Sequence, residues 1–218
     1  MCYTWGMKFL RKILDIFFPP SETEKELIAR CANGDLPDAP LLPHKNIYAV
    51  TNYREPIIRK SIRILKTKHN VPIARCFATL LHEHIESLIY EQGPFKATTR
   101  IVIIPIPITI SRLRERGFNQ AKLVADSLAL CDPTTYVVKK LLHKVSETQK
   151  QAVRMSKTER KENIKGCFMC GDAHTRKESG VLYVVLDDVI TTGATMHEAM
   201  KTLRKSGYRN VIGFGIAH

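Results

Sequence analysis

Two aspartates stand side by side, Asp187 and Asp188, at the end of the apolar run "YVVLDD", and the segment "VITTGAT" follows at once. Neighbouring carboxylates repel each other and lose hydration when they are buried, so a cation or several hydrogen-bond donors must meet them. A ribose with vicinal hydroxyls, together with Mg²⁺, would supply both. Thr191, Thr192, Gly193, Ala194 and Thr195 then lead into a helical pattern. Small residues there let the backbone approach a ligand, the first amides of a helix point outward, and the helix dipole favours an anion. The threonine hydroxyls add donors, so the loop is a phosphate cradle without a lysine. A bare Asp-Asp would fit two acids capping an ordinary strand-to-helix turn. The threonine and glycine loop beside the acids favours recognition of a sugar and its phosphate one short turn apart.

A second stretch, "PIPITISRLRERGFNQAKLVADSLA", carries Arg112, Arg114 and Arg116 just after another apolar run, with Gly117 to Gln120 opening a helix. Three guanidiniums close together suit a pyrophosphate, whose oxygens accept paired hydrogen bonds. A bare arginine run would more often be a solvated turn. Its place at the end of a buried strand favours a basic loop that binds an anion.

These stretches need a frame that brings strand ends together. "NIYAVTNY", "IVIIPIPI", "TYVVKKL", "GVLYVVLDD" and "VIGFGIA" read as strands, the second and fourth apolar and β-branched enough to be buried on both faces. Between them "EPIIRKSIRILKTKH", "PIARCFATLLHEHIESLIYE", "GFNQAKLVADSLALC" and "MHEAMKTLRKSG" have helical spacing, and Gly207 stops the last. Alternating strands and helices predict an α/β fold with a largely parallel sheet flanked by helices, and ligands in such sheets lie beyond the carboxyl ends of the strands. We divide the chain into residues 1–45, an N-terminal amphipathic helix and linker, and residues 46–218, the main domain. Within the first part Phe9, Leu10, Ile13, Leu14 and Phe17 share a helical face, and Ser21 and Glu24 form a capping-box-like start for "SETEKELIARCA".

Thirty-four Lys plus Arg against 21 Asp plus Glu give a formal charge of +13 over 218 residues, which favours polyanionic partners. Six cysteines, at 2, 31, 76, 131, 167 and 170, are scattered and follow no export signal, so a reduced cytoplasm is expected. The N-terminal apolar run is too short to span a bilayer, and no integral membrane segment is expected. "CFMC" with His174 is a weak metal signal, because positions three apart on a strand point to opposite faces. His82 and Glu86 of "HEHIE" share a helical face that reads as solvated surface. There is no G-x-x-x-x-G-K-[ST], which argues against a P-loop ATPase, and "GFG" lacks the rest of a dinucleotide fingerprint.

"VVLDDVITTGAT" resembles the phosphoribosyl pyrophosphate motif of type I phosphoribosyltransferases. That likeness implies that Asp187 and Asp188 hold the ribose hydroxyls and act in catalysis, and that Thr191 to Thr195 bind the 5′-phosphate. "RLRERGFNQAKLVADSLA" is similar to the competence-associated ComF family, whose pyrophosphate loop would comprise Arg112, Arg114, Arg116 and Gly117. "HKVSETQKQAVRMSKTERKENIKGCF" resembles the mobile hood of that family, with Thr148, Gln149, Arg160, Asn163, Gly166 and Phe168 in matching places. The resemblance runs from about Ile47 to the C-terminus; of the paired C-x-x-C motifs of an N-terminal zinc module, the corresponding region offers only Cys31. It implies a type I phosphoribosyltransferase-like fold and phosphoribosyl pyrophosphate as ligand. Mg²⁺ would arrive with that substrate near the acids rather than on direct protein ligands. Single-stranded DNA or competence proteins are the implied partners. The activity expected is transfer of phosphoribose to a nitrogenous acceptor, with a non-catalytic accessory of DNA uptake as the alternative.

Overall fold

The computed structural model describes residues 19–40, 42, 45–91, 98, 100–145, 164–171 and 180–218. Strands β1 (Ile47–Thr51), β2 (Arg100–Pro105), β3 (Tyr136–Val138), β6 (Val181–Val189) and β7 (Val211–Ala217) form one sheet in the order β1-β7-β6-β2-β3. Every neighbouring pair in it is parallel. A separate antiparallel pair joins β4 (Leu142–Lys144) to β5 (Phe168–Cys170). The helices are α1 (Glu22–Asn33), α2 (Pro56–Thr67), α3 (Val71–Glu91), α4 (Ile110–Arg116), α5 (Gln120–Ala129) and α6 (Ala194–Lys205). The fold is α/β, type I phosphoribosyltransferase-like, with helices against a parallel sheet.

Strand β6 shows why an unbroken apolar run was needed. Val181 to Leu186 are all buried, and the period of two sorts them onto opposite faces. Leu182, Val184 and Leu186 join a core with Ile58, Ile62, Phe77, Leu81 and Val124 from α2, α3 and α5. Val181, Tyr183 and Val185 join a second core with Met196, Met200 and Leu203 of α6 and with Leu142 and Phe168 of the β4–β5 pair. The glycines of "VIGFGIA" serve close packing: a Cβ at Gly213 would lie 2.6 Å from Met196 Cγ, and one at Gly215 2.6 Å from Ile190 Cγ1.

Helix ends follow the local sequence. Ser21 Oγ accepts from the Glu24 amide at 3.3 Å, Thr109 Oγ1 from Arg112 at 3.3 Å, and Asn119 Oδ1 from Ala121 at 3.0 Å. Helix α1 is integrated into the domain. Leu27 is fully buried in the first core, and Asn70 Nδ2 donates to Glu24 Oε2 at 2.9 Å. The N-terminal amphipathic helix expected over residues 9–17 lies outside the described residues.

Two expectations need correction. The arginine segment is helical: Arg112, Arg114 and Arg116 lie on α4, because Thr109 caps its start and Gly117, at φ +77°, closes its end. His82 and Glu86 are not simply solvated surface. His82 Nδ1 meets the hydroxyl of buried Tyr136 at 2.9 Å, and that hydroxyl donates to Glu86 Oε1 at 3.2 Å.

Candidate functional site

Strand order fixes where a site can form. The chain leaves β2 outward to β3 and leaves β6 in the opposite direction to β7, so β2 and β6 flank a topological switch point. A crevice opens there at the carboxyl ends. The two strands run in register as far as Pro105 opposite Leu186, and the Ile106 amide donates to the Leu186 carbonyl at 2.8 Å. The arginine segment and the aspartate segment therefore leave the sheet side by side.

Alternation along β6 sends the two acids to different faces. Asp188 is 6% exposed and lies on the side of α2 and α5. Lys66 Nζ of α2 reaches its Oδ2 at 2.8 Å, and Gln120 Nε2 of α5 donates to the same oxygen at 3.2 Å. Arg116 Nη1 donates to Gln120 Oε1 at 3.1 Å, so Gln120 links the guanidinium to the carboxylate. Each acid also accepts the following amide: Asp188 N donates to Asp187 Oδ1 at 2.8 Å, and Val189 N to Asp188 Oδ1 at 2.9 Å.

Among the described residues Asp187 has no such partner of opposite charge in contact. Burial, then the charge of Asp188, pushes its carboxyl up to about 8, against the smaller opposing pull of Lys66. On its side of the sheet Lys144 of β4 is held below the ordinary lysine value, chiefly by burial and further by the charge of Arg112. Asp187 acts on Lys144 in the opposite sense. Lys144 also sits 5.9 Å from the Phe168 ring centroid, in cation–π range.

Beyond β6, Thr191 is exposed, Thr192, Ala194 and Thr195 are half-buried, and Gly193 is buried. Gly193 caps α6 at φ 72°, a left-handed conformation that a Cβ would strain. The Ala194 amide lies 3.5 Å from Thr192 Oγ1, and His197 N donates to the Gly193 carbonyl at 2.8 Å. The first turn of α6 thus starts at a buried glycine cap, and a helix N-terminus there favours an anion.

The three arginines do not act as one cluster. Arg112 and Arg116, four apart, share a face of α4, whereas Arg114 lies on another. Thr148, Gln149, Arg160 and Asn163 lie outside the described residues. Of the other two hood positions, Phe168 is buried in β5, and the Gly166 amide donates to Glu198 Oε1 of α6 at 2.8 Å. Lys66, Gln120 and Lys144 were not singled out from the sequence, because each is a common polar residue on an ordinary amphipathic element and only the fold brings it to the acids.

Next to this crevice is a cavity of about 430 Å³, lined among others by His69, Phe118, Asn119, Lys140 and His143. The His69 and Phe118 rings meet edge to face, their centroids 5.3 Å apart. Among the described residues no three His, Cys, Asp or Glu side chains are grouped to hold a metal ion.

No protein-family model matches the chain. It is 37% identical over 119 residues to "Competence protein F" of Haemophilus influenzae, covering 53% of this chain and 49% of that protein. It is 35% identical over 106 residues to "Competence protein ComFC" of Bacillus subtilis, covering 49% of this chain and 39% of that protein. Over about half of its length the chain is thus similar to competence proteins of the ComF type. A third relative, "DNA utilization protein YhgH" of Salmonella typhimurium, is 28% identical over 174 residues, 78% of this chain and 70% of that protein. The matches to the two competence proteins thus span about half of each relative or less. Among its described residues the chain has no helix long and apolar enough to cross a membrane.

Proposed function

We propose that the protein binds phosphoribosyl pyrophosphate with Mg²⁺ and transfers its phosphoribosyl group to a nitrogenous acceptor. One observation carries the reading: a deficit of positive charge at Asp187 stands at the switch point, one turn from the N-terminus of α6. Sugar hydroxyls and a divalent cation would relieve that deficit, while the Thr191–Thr195 turn would take the 5′-phosphate. Arg112 and Arg116 would face the pyrophosphate, and Lys144 would add a half-buried positive charge on the Asp187 side. In the reaction an acceptor nitrogen forms a bond to the anomeric carbon, the bond from that carbon to pyrophosphate breaks with its electron pair, and the nitrogen's proton passes to solvent. Mg²⁺ would neutralise charge on the departing pyrophosphate. The residues around Asp187 suit an ion that arrives on the substrate, since too few carboxylates converge for a cage of their own. The cavity beside Phe118 and His69 is the place for a flat acceptor, because aromatic edges and faces recognise heterocycles.

The names of the relatives favour a second role beside this one, handling of DNA during its uptake or use, with single-stranded DNA or other competence proteins as partners. The +13 charge supports it through sequence-independent attraction to phosphates.

Calorimetric titration of phosphoribosyl pyrophosphate, with and without Mg²⁺, tests the first reading. Saturable Mg²⁺-dependent binding that the Asp187→Asn, Asp188→Asn double variant loses while keeping its circular dichroism spectrum is expected. A folded wild-type protein that binds none would overturn it.

A further inference from the structure

The exposed side of α2 holds cations that the rest of the fold does not use. Its inner face is settled by the sequence: Ile57, Ile58, Ser61, Ile62 and Leu65 are buried. The outer face then carries Arg59, Lys60 and Arg63, all exposed, and the helix contains no acidic residue. Among the described residues none of the three lies within ion-pair distance of a carboxylate. Unpaired like charges at neighbouring turns repel and destabilise a helix, so a stripe of them with no local counter-charge calls for an anionic occupant.

The stripe lines a groove rather than a convex surface. Tyr53, Pro56, Arg59, Lys60, Arg63 and Lys66 enclose about 460 Å³, and Tyr53, 36% exposed, stands at one end. Lys66, which holds Asp188 at 2.8 Å, stands at the other. The groove thus runs along α2 as far as Lys66, the residue that holds Asp188.

We propose that this groove binds the sugar-phosphate backbone of single-stranded nucleic acid, with Arg59, Lys60 and Arg63 on phosphates and Tyr53 stacked against a base. Arginines on successive turns offer paired donors to a row of phosphates, and an aromatic ring beside a basic track is how proteins hold single strands without reading sequence. A membrane face is disfavoured, because Tyr53 is the only large apolar side chain exposed on this groove among the described residues. The inference rests on the DNA-handling half of the proposed function and is independent of phosphoribosyl transfer.

The experiment is fluorescence anisotropy of a labelled single-stranded DNA oligonucleotide, without Mg²⁺ or phosphoribosyl pyrophosphate, over a salt series. Arg59→Gln with Arg63→Gln removes two charges from the groove, and Lys205→Gln with Arg209→Gln removes two exposed charges from the end of α6 and the turn after it. Three phosphate contacts predict a slope of log affinity on log salt near about −2 for the wild type, and the groove variant should bind about tenfold or more weakly with a slope near about −0.7. The α6 variant should stay within about twofold of wild type, and Arg59→Lys with Arg63→Lys should keep most of the affinity. Equal losses in both Gln variants would overturn the groove in favour of diffuse attraction, as would an unchanged groove variant. A wild-type protein that does not bind the oligonucleotide would overturn the DNA-handling reading itself and leave the sugar-phosphate site untouched.

Discussion

Replacing Asp187 by Asn should make the ligand-free protein more stable, and increasingly so as pH rises. The Asp187 carboxyl is pushed up to about 8 by burial and by Asp188, whereas in the unfolded chain it titrates near about 3.9. Between those values the folded state keeps a proton that the unfolded state has released. Stability therefore falls as pH rises through this window, by about 1.4 kcal/mol per pH unit, and levels off above the folded value. Asn is close to the acid in shape and carries no charge, so its variant lacks this slope. From pH 5.5 to 7.5 the variant should gain about 2 to 3 kcal/mol on the wild type. In a chain of 218 residues that corresponds to a Tm gap widening by about 5 to 10 °C. Thermal unfolding followed by circular dichroism, in buffers of constant ionic strength without divalent cations, measures the gap. A gap of constant size from pH 5 to 8 would show that Asp187 ionises normally in the fold, and the charge deficit behind the proposed function would be gone. The same slope should shrink in Asp188→Asn, where burial remains but the neighbouring charge does not.

Further perturbations probe the frame around the site. Gly215→Ala places a Cβ 2.6 Å from Ile190 Cγ1, so overpacking should cost about 1 to 3 kcal/mol in urea unfolding and displace the loop that begins at Ile190. Unchanged stability together with unchanged ligand affinity would contradict that packing. Tyr136→Phe removes the hydroxyl between His82 and Glu86, and the denaturation midpoint should fall by an equivalent of about 1 to 2 kcal/mol at constant m-value. A neutral outcome would mean that this half-buried link contributes nothing to holding β3 on α3.

The sequence by itself determined the strands of the main sheet, most of the helices and much of the crevice. Unbroken apolar runs at β2 and β6 can be buried only in the middle of a sheet, and "TTGAT" before a helical pattern can only be a strand-to-helix turn. The order of strands and helices then implied a parallel sheet. The pair Asp187 and Asp188, the Thr191–Thr195 turn and the arginine segment are contiguous signals that local reading detects. What needed the tertiary structure is everything that depends on which strand lies beside which. The β1-β7-β6-β2-β3 order places α4 next to the acids, a fact no local pattern contains. It also brings Lys66 from 122 positions away onto Asp188 and sets Gln120 between Arg116 and that acid. The helical form of the arginine segment escaped a reading by hydrophobic period because seven residues with no buried side chain carry no such period. The imbalance between the two acids is likewise tertiary. Alternation on a strand assigns them to opposite faces, but only packing decided that, among the described residues, a lysine contacts Asp188 and none contacts Asp187.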